Sequence, residues 1–499
     1  MDQTSGPDVI VVGSGNAAFS AALTAREHGA SVLMLEKGSR EWIGGNSWFT
    51  AGAFRLTHAG LGDLDGMVDS PDGTVELPPY SIADYLADMR RMTMDRCDPE
   101  LTGILVAEAR EAARWMQRHG VRWRLMAERQ AHESGGHLRF WGGLSVGTVG
   151  GGVGLIDAYL KAASDRGIEL RTDAPVSGLL VSDGRVTGVE VRLGGEIVGL
   201  RAGAVILASG GFEADADLRA KHLGPDWRMA HVRGTPHNTG EMLLAAMEVG
   251  AKSHGDWSSC HSIAWDAASS PVGDRQVSNR YSRQGYPFGL VVNRDGRRFL
   301  DEGADFRNYT YAKYGAEILR QPGGVAFQLF DSQSLPLVSH IDYETAHRSR
   351  FEARTVADLA RVAGIDQAGL EDTIAAYNAA IQPGPFDPTI LDGKRTLGIR
   401  PPKSNWAQPF DAPPYVAFAV VCGITFTFGG LQISTDGAVL TSSGKPLPGL
   451  FAAGETVGGL FFNNYPGGTG LASGVVFGRR AGRSAADHAR VHREPAVVA

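Results

Sequence analysis

Residues 8–36 read "DVIVVGSGNAAFSAALTAREHGASVLMLE". A β-branched run, a glycine turn, an alanine-rich segment and a second apolar run predict a strand–helix–strand unit of the usual length. Gly13 permits the tight turn, Gly15 lets the backbone approach a pyrophosphate, and Ala18 allows close helix packing. Glu36 ends the second strand about 20 residues on, where a carboxylate can accept the ribose hydroxyls. The stretch predicts an adenine dinucleotide site; a packed turn without ligand is the alternative.

Three further glycine-rich loops indicate which dinucleotide binds. They are "WIGGNSWFTAGAF" at 42–54, "GGLSVGTVGGGVG" at 142–154 and "AAGETVGGLFFNNYPGGTGLASG" at 452–474. One NAD site needs fewer such loops, whereas a flavin can use backbone contacts along its whole length. Glu455 is placed for the ribityl chain, and a helix start at Gly470 and Leu471 is placed for the pyrimidine oxygen. The loops favour FAD; ordinary turn usage is the alternative for any single loop.

The composition favours a small-molecule partner. The chain has 499 residues, 43% hydrophobic content and a net charge of -7, so it offers no basic field for nucleic acid or anionic lipid. Cys97, Cys260 and Cys422 lack haem or cluster spacing, which predicts a reduced cytosolic protein without a metal centre. We find no export signal and no spanning apolar run. We therefore expect a cytoplasmic protein that meets a membrane only through an electron-accepting partner.

The order of the predicted elements indicates an α/β (α+β) chain with a split Rossmann-like domain. "AVILASGG" at 204–211 and "GLFAAGE" at 449–455 read as buried parallel strands far apart in the sequence. The region between them, from about 260 to 425, is richer in aromatics, prolines and polar loops. We therefore expect a dinucleotide-binding domain that is interrupted by an inserted domain.

Several motifs resemble those of a known family: "VIVVGSGNAAFSAAL", "LEKG", "GGNSWFTAGAF", "NRDGRRFLDEGADFRNYTYAKYG" and "LPGLFAAGETVGGLFFNNYPGGTGLASGVVFGRRAG". Over nearly the full length the chain resembles the fumarate reductase/succinate dehydrogenase flavoprotein superfamily, and within it the FAD-dependent tricarballylate dehydrogenase branch. The resemblance implies an FAD-binding domain made of 1–258 and 426–499, with a substrate-capping domain at 259–425. Relatives with covalent flavin carry a histidine where this chain has Asn46, which implies noncovalent FAD. The implied cofactor-binding residues are Gly13, Gly15, Asn16, Ala17, Ala18, Glu36, Lys37, Gly45, Asn46, Ser47, Ala51, Gly52, Val176, Ala208, Gly210, Gly454, Glu455, Gly470 and Leu471.

The resemblance also implies residues at the reacting bond. Arg307, in "DEGADFRNYTYAKYG" at 301–315, matches the relatives' proton-transfer arginine, and His261 matches a histidine that holds a substrate carboxylate. Phe426 replaces the relatives' second histidine and Tyr465 replaces their carboxylate-clamping arginine, so plain fumarate reduction fits poorly. The implied catalytic residues are Arg307, Tyr465 and His261. The implied substrate-binding residues are His261, Phe426, Thr427, Tyr465, Gly467 and Gly468.

The expected reaction is oxidation, or the reverse reduction, of a C–C bond beside a carboxylate or carbonyl, with hydride transfer to flavin N5. Guanidinium is a poor base near neutral pH, so Arg307 suits proton donation or charge stabilisation better. Tyr465 could be the acid/base or the hydrogen-bond donor to a carbonyl, as a tyrosine is in the related 3-ketosteroid dehydrogenases. A ketosteroid dehydrogenase-like desaturase and a noncatalytic electron-relay flavoprotein are the alternatives. The expected electron acceptor is a quinone, an iron–sulfur partner protein or O2.

Each site residue also has a purely structural alternative. Arg307 could pair with the acids of its own loop at the surface. His261 could be a satisfied core histidine, and Tyr465 a packing aromatic. The three tyrosines that follow Arg307 in the same stretch are expected mainly to pack.

Overall fold

The computed structural model describes residues 6–69, 74–338, 340–344 and 348–492. The strands in these ranges are β1 (Val9–Val12), β2 (Val32–Leu35), β3 (Ala53–Phe54), β4 (Thr74–Glu76), β5 (Trp123–Leu125), β6 (Ala131–Ser134), β7 (His137–Phe140), β8 (Val146–Thr148), β9 (Glu169–Arg171), β10 (Val176–Ser182), β11 (Arg185–Leu193), β12 (Glu196–Arg201), β13 (Ala204–Leu207), β14 (His231–Val232), β15 (Ser253–Asp266), β16 (Leu290–Asn293), β17 (Val325–Phe330), β18 (Arg350–Ala353), β19 (Tyr415–Leu431), β20 (Ala438–Leu440) and β21 (Pro446–Ala452).

The α-helices are α1 (Asn16–Glu27), α2 (Gly45–Trp48), α3 (Ile82–Thr93), α4 (Pro99–Arg118), α5 (Ala127–Gln130), α6 (Gly151–Asp165), α7 (Ala216–His222), α8 (Glu241–Glu248), α9 (Arg307–Leu319), α10 (His340–Tyr343), α11 (Val356–Ala363), α12 (Gln367–Ala380) and α13 (Thr469–Val491). Over the ranges that the structure covers, none of the helices combines the length and the apolar character needed to cross a membrane.

A six-stranded sheet in the order β20-β21-β13-β1-β2-β9 brings together strands from the first and last parts of the chain. Strand β1 pairs in parallel with β2 and β13, and β13 pairs in parallel with β21. All residues of β1, β2 and β13 are buried, which explains their continuous apolar sequences. The predicted split Rossmann-like fold is confirmed, because β21 joins the sheet from the far end of the chain.

Helix α13 packs along α1, and this contact aligns the starts of both helices. Small residues allow the close approach: a Cβ atom added to Gly482 would overlap the backbone oxygen of Ala21. Helix α1 directly follows the glycine turn after β1, while α13 follows the "NNYPGG" segment. Two helix N-termini, from opposite ends of the sequence, therefore lie at the same edge of the sheet.

A second, mixed sheet is built around the long strand β19. It contains the path β14-β19-β17-β16, and both β15 and β18 also pair with β19. In the antiparallel β15–β19 pair, His261 stands opposite Phe426, with register shifts on both sides of the Cys260–His261 pair of residues. Such bulges re-aim side chains. The expected domain limits at 258/259 and 425/426 fall inside these two strands, and the division stays a prediction.

Candidate active site

A cleft lies between the six-stranded sheet and the mixed sheet. The predicted residues on its walls are Gly13, Gly15, Asn16, Ala17, Glu36, Lys37, Gly45, Asn46, Ser47, Ala51, Val176, Ala208, Gly210, His261, Arg307, Phe426, Thr427, Gly454, Glu455, Tyr465, Gly468, Gly470 and Leu471. Three predicted residues are not on the walls. Ala18 is buried inside α1, Gly52 is against Thr148, and the Gly467 backbone oxygen accepts a hydrogen bond from Arg55 Nε at 2.8 Å.

The cleft receives two uncapped helix N-termini. Helix α1 begins after Gly15 and α13 begins after Gly468, and neither helix has a side-chain hydrogen bond at its cap. The free N–H groups of such helix starts attract anions. Gly13 has φ of 114°, and an added Cβ would overlap the Ala208 backbone oxygen, so only glycine fits this turn. Gly15 has no such internal clash, which leaves its side free for a ligand.

Glu36 lies on the cleft wall at the end of β2. Its Oε1 accepts a hydrogen bond from the Gly38 N–H at 2.8 Å, and its Oε2 accepts one from the Ser14 hydroxyl. Burial raises the pKa of Glu36, while these two hydrogen bonds oppose the rise. A carboxylate has about four acceptor positions, so about two remain for ribose hydroxyls. This arrangement, with the helix starts and Gly13, fits the adenosine and phosphate parts of FAD.

Glu455 belongs to a buried carboxyl pair. Its Oε1 accepts from the Thr427 N–H at 2.8 Å, and its carboxyl group lies beside that of Glu213. Glu213 Oε1 accepts from the amides of Asn46 and Asn238 at 2.6 and 2.7 Å. Burial raises the pKa of both carboxyls, and for Glu455 the neighbouring Glu213 raises it further. Each carboxyl group of the pair therefore binds a proton more readily than an isolated glutamate does, beside the place expected for the ribityl chain.

Asn46 is fully engaged with the protein. Its Nδ2 also donates to the Thr425 backbone oxygen at 2.6 Å, and its Oδ1 accepts from the Thr235 N–H at 2.9 Å. The residue lines the cleft, yet its polar atoms join the flavin-side loop to β19 and to the carboxyl pair. The amide side chain of Asn46 is not suited to form a covalent bond with a flavin.

Arg307 begins α9 and reaches into the cleft. Its Nη1 donates to Gln284 Oε1 at 2.6 Å, and its Nη2 donates to the Arg129 backbone oxygen. Burial, followed by the charge of Arg129, lowers the pKa of Arg307. The acids of its loop have other partners: Asp301 accepts from Ser404, Glu302 pairs with Arg298, and Asp305 pairs with Arg91. The interpretation of Arg307 as a surface charge paired within its own loop is therefore wrong.

His261 is buried without a hydrogen-bond partner. It is 2% exposed, and neither of its ring nitrogens has a partner among the described residues. Its ring stacks on Phe426 at a centroid distance of 5.2 Å and meets Tyr311 and Tyr465 edge-on. Burial and then the charge of Arg233 lower the pKa of His261 well below its usual value, so the imidazole is neutral. The satisfied-core alternative does not fit two unpartnered nitrogens.

Tyr465 shares a hydrogen bond with Tyr311, their hydroxyl oxygens lying 2.5 Å apart. Both side chains line the cleft. Burial raises the pKa of Tyr465 well above its usual value, and Tyr311 raises it further, so the phenol stays protonated. The expectation that Tyr311 mainly packs is wrong, because its hydroxyl lies in the cleft with that of Tyr465.

Sequence reasoning missed other polar residues on the cleft walls, namely Arg129, Arg233, Gln284 and Tyr311, and it also missed Glu213 behind them. Tyr311 lies one helical turn after Arg307, so helical spacing could have signalled it. Arg233 lies in the glycine-containing segment "VRGTPHNTG" at 232–240, which resembles a ligand loop but matches no motif. The other three carry no local signal, because long-range packing alone brings them to the cleft.

The comparisons with known proteins agree with this geometry. The family model described as "FAD binding domain" matches residues 8–471. The chain is 30% identical over 487 residues to a protein of Shewanella frigidimarina (strain NCIMB 400) named "Probable fumarate reductase Ifc3", covering 96% of this chain and 75% of that protein. The open conformation of a flavocytochrome c3 fumarate reductase is similar in structure, with a TM-score of 0.73, 28% identity, and coverage of 98% of this chain and 79% of that chain.

A second solved structure shows likeness of fold. The 3-ketosteroid delta1-dehydrogenase from Sterolibacterium denitrificans, solved in complex with 1,4-androstadiene-3,17-dione, gives a TM-score of 0.73. It is 22% identical, and the match covers 96% of this chain and 99% of that chain.

Proposed function

We propose a function from the premise that this chain belongs to the fumarate reductase/succinate dehydrogenase flavoprotein superfamily. It is therefore an FAD-dependent oxidoreductase acting on C=C bonds or on the corresponding CH–CH groups. The finer proposal is that the bond lies beside a carboxylate or carbonyl of a small substrate, as in tricarballylate dehydrogenase-like oxidation or its reverse. The main support for this proposal is Arg307, a cation in the cleft whose hydrogen-bond acceptors are uncharged: the Gln284 side-chain oxygen and the Arg129 backbone oxygen.

The proposed cofactor-binding residues divide by the part of noncovalent FAD that they would hold. The α1 start with Gly13 and Gly15 would hold the pyrophosphate, and Glu36 the ribose. Glu455 would lie at the ribityl chain, and the α13 start at Gly470 and Leu471 at the pyrimidine oxygen. When bound, the flavin supplies a hydride acceptor or donor at N5.

In the proposed mechanism, this chain's own groups handle the proton and the developing charge. Oxidation removes a hydride from one carbon and a proton from its neighbour; reduction returns both. Arg307 would stabilise enolate charge and give up a proton in the reductive direction, and its lowered pKa makes that donation easier. Tyr465, held protonated and bonded to Tyr311, would donate to a substrate oxygen. Neutral His261 would orient a substrate carboxylate.

A second candidate is a ketosteroid dehydrogenase-like desaturase. The tyrosine pair Tyr465–Tyr311 favours it, because two linked phenols suit a carbonyl oxygen. A third is an electron-relay flavoprotein without its own substrate. In every case, the proposal is that electrons pass to or from an outside partner, namely a quinone, an iron–sulfur protein or O2.

The test is anaerobic stopped-flow spectroscopy of the purified flavoprotein with a substrate panel. We expect tricarballylate or another saturated carboxylate to bleach the flavin absorbance, and an unsaturated carboxylate to restore it after photoreduction. Bleaching by 4-androstene-3,17-dione and not by carboxylates would favour the desaturase. No bleaching by any compound, together with no reoxidation of the photoreduced flavin by any unsaturated compound, would contradict both enzyme proposals and favour the relay. Reoxidation by O2 compared with a soluble quinone then separates the acceptors.

A further inference from the structure

Arg233 is a buried cation on the cleft wall. It directly follows β14 and is 8% exposed, and its backbone N–H donates to the Ile424 backbone oxygen at 2.8 Å. The guanidinium also lies over the Trp265 ring at 5.6 Å from its centroid. The backbone contact holds this residue beside β19, and the side chain lines the cleft that His261 and Arg307 also line.

The hydrogen-bond partners of Arg233 carry no charge. Its Nε donates to Asn279 Oδ1 at 3.0 Å, its Nη2 donates to the same oxygen, and its Nη1 donates to Thr425 Oγ1 at 2.8 Å. Within the residues described, no carboxylate forms an ion pair with it. A guanidinium has five N–H donors, so donors remain unused. A buried charge without a partner is unfavourable, which indicates that its counter-charge arrives with a ligand.

Two neighbouring side chains also present unused polar atoms. Asn279 is 5% exposed and lines the cleft, and its Nδ2 has no acceptor in the described part of the chain. His261 has two unpartnered ring nitrogens and stands opposite Phe426, the residue next to Thr425 on β19. Arg233, Asn279 and His261, here called the Arg233 cluster, therefore bring unused donors to one part of the wall.

We propose that the Arg233 cluster binds a carboxylate of the substrate and supplies the cation that Tyr465 lacks. Two oxygens of one carboxylate can accept from the guanidinium and from the Asn279 amide, a pairing of charge-assisted bonds. This proposal rests on the proposed function and restricts the substrate class. The substrate has a carboxylate that lies at a distance from Arg307, and a neutral steroid would leave Arg233 without a counter-charge.

The test measures binding to the FAD-loaded protein rather than turnover. Succinate, glutarate and tricarballylate are titrated while the flavin difference spectrum is recorded, with 4-androstene-3,17-dione as the neutral probe. The variants are Arg233→Gln, which removes the charge, and Asn279→Asp, which supplies an internal carboxylate to Arg233. Arg320→Gln, an exposed arginine paired with Glu317, is the matched control.

We expect both cluster variants to weaken binding of the tightest carboxylate at least tenfold, the loss typical of a charge-assisted bond. Asn279→Asp should also raise the melting temperature, because it pairs a buried cation. Arg320→Gln should bind as wild type. If either folded cluster variant binds within twofold of wild type, or if wild type binds no carboxylate of the panel, the assignment is overturned; if Arg233→Gln does not fold, Asn279→Asp decides.

The two proposals fail in different ways. If carboxylates bind through Arg233 but saturated ones never bleach the flavin and unsaturated ones never reoxidise the reduced flavin, the proposed reaction is wrong while the cluster assignment stands. If a carboxylate bleaches the flavin and Arg233→Gln binds it unchanged, the reaction stands and the cluster assignment falls.

Discussion

Glu36→Gln tests the cofactor site, and the expected loss of FAD affinity follows from the hydrogen bonds that Glu36 makes. The carboxylate uses about two of its four acceptor positions on the Gly38 N–H and the Ser14 hydroxyl, and about two remain for the ribose. A glutamine keeps one acceptor oxygen for the Gly38 N–H, and its NH2 can donate to Ser14. The protein contacts thus survive, while one ribose bond is lost and the other loses its charge assistance.

That loss is on the order of 1.5 to 3 kcal/mol, since hydrogen bonds to charged groups have this value. FAD affinity should therefore fall at least tenfold. The pH dependence should also change. Burial raises the pKa of Glu36, so wild-type affinity should decrease as pH falls through that raised pKa, and the glutamine variant should not show this decrease.

The assay is reconstitution of flavin-stripped protein, followed by the quenching of FAD fluorescence at several pH values. Glu248→Gln, an exposed acid at the end of α8, is the matched control and should bind FAD as wild type. If Glu36→Gln binds FAD within twofold of wild type, the ribose assignment is wrong, and the acid after β2 only holds the Gly38 turn.

Four further predictions concern the reaction, the flavin and the buried acids. Arg307→Lys keeps the charge but loses the planar guanidinium that donates to Gln284, so turnover should fall by about 10² or more, whereas flavin content and melting temperature stay unchanged. Tyr465→Phe should lower the rate by about 10² to 10⁴ if the tyrosine hydroxyl transfers a proton. Both rates are measured with the substrate that bleaches the flavin. Acid precipitation should release all flavin into the supernatant, and yellow colour in the pellet would contradict noncovalent binding. The raised pKa of Glu213 means that the folded state binds its proton more tightly than the unfolded state, so stability should fall as pH rises above the ordinary glutamate pKa and through the raised one. Glu213→Gln should flatten that fall in thermal unfolding of the FAD-loaded protein.

The fold was predictable because its signals are local. The turn at Gly13 and the acid at Glu36 lie within one strand–helix–strand unit, where backbone geometry and spacing dictate residue type. The joining of β21 to the same sheet was also predictable, because a continuous apolar run before a glycine turn is typical of a buried parallel strand. These features need no knowledge of distant contacts.

The electrostatic state of the site was not predictable, because it depends on contacts across the whole chain. Glu455 was placed at the flavin, but burial and the neighbouring Glu213, 242 residues earlier in the numbering, raise its pKa. Arg307 was singled out with acids beside it in sequence, yet the fold turns those acids to other partners. Burial gives Arg233 its significance, and no pattern around position 233 encodes burial.

If the Arg233 cluster binds a substrate carboxylate as proposed, the arginines on the substrate side of the cleft limit the substrate class further. Of the arginines on its walls, Arg129 is paired with the Asp342 carboxylate, whereas Arg233 and Arg307 bond to neutral oxygens. His261 is neutral, so it adds no positive charge. The Asp342 carboxylate acts on both arginines from a distance but pairs directly with Arg129 only. A neutral steroid would leave Arg233 and Arg307 without a directly paired carboxylate in a partly desolvated cleft, and a monocarboxylate would leave one so, each at a cost in binding free energy. A substrate with at least two carboxylates balances both, so affinity should rise from the steroid through a monocarboxylate to succinate or tricarballylate, and an equal affinity across that series would refute the charge argument.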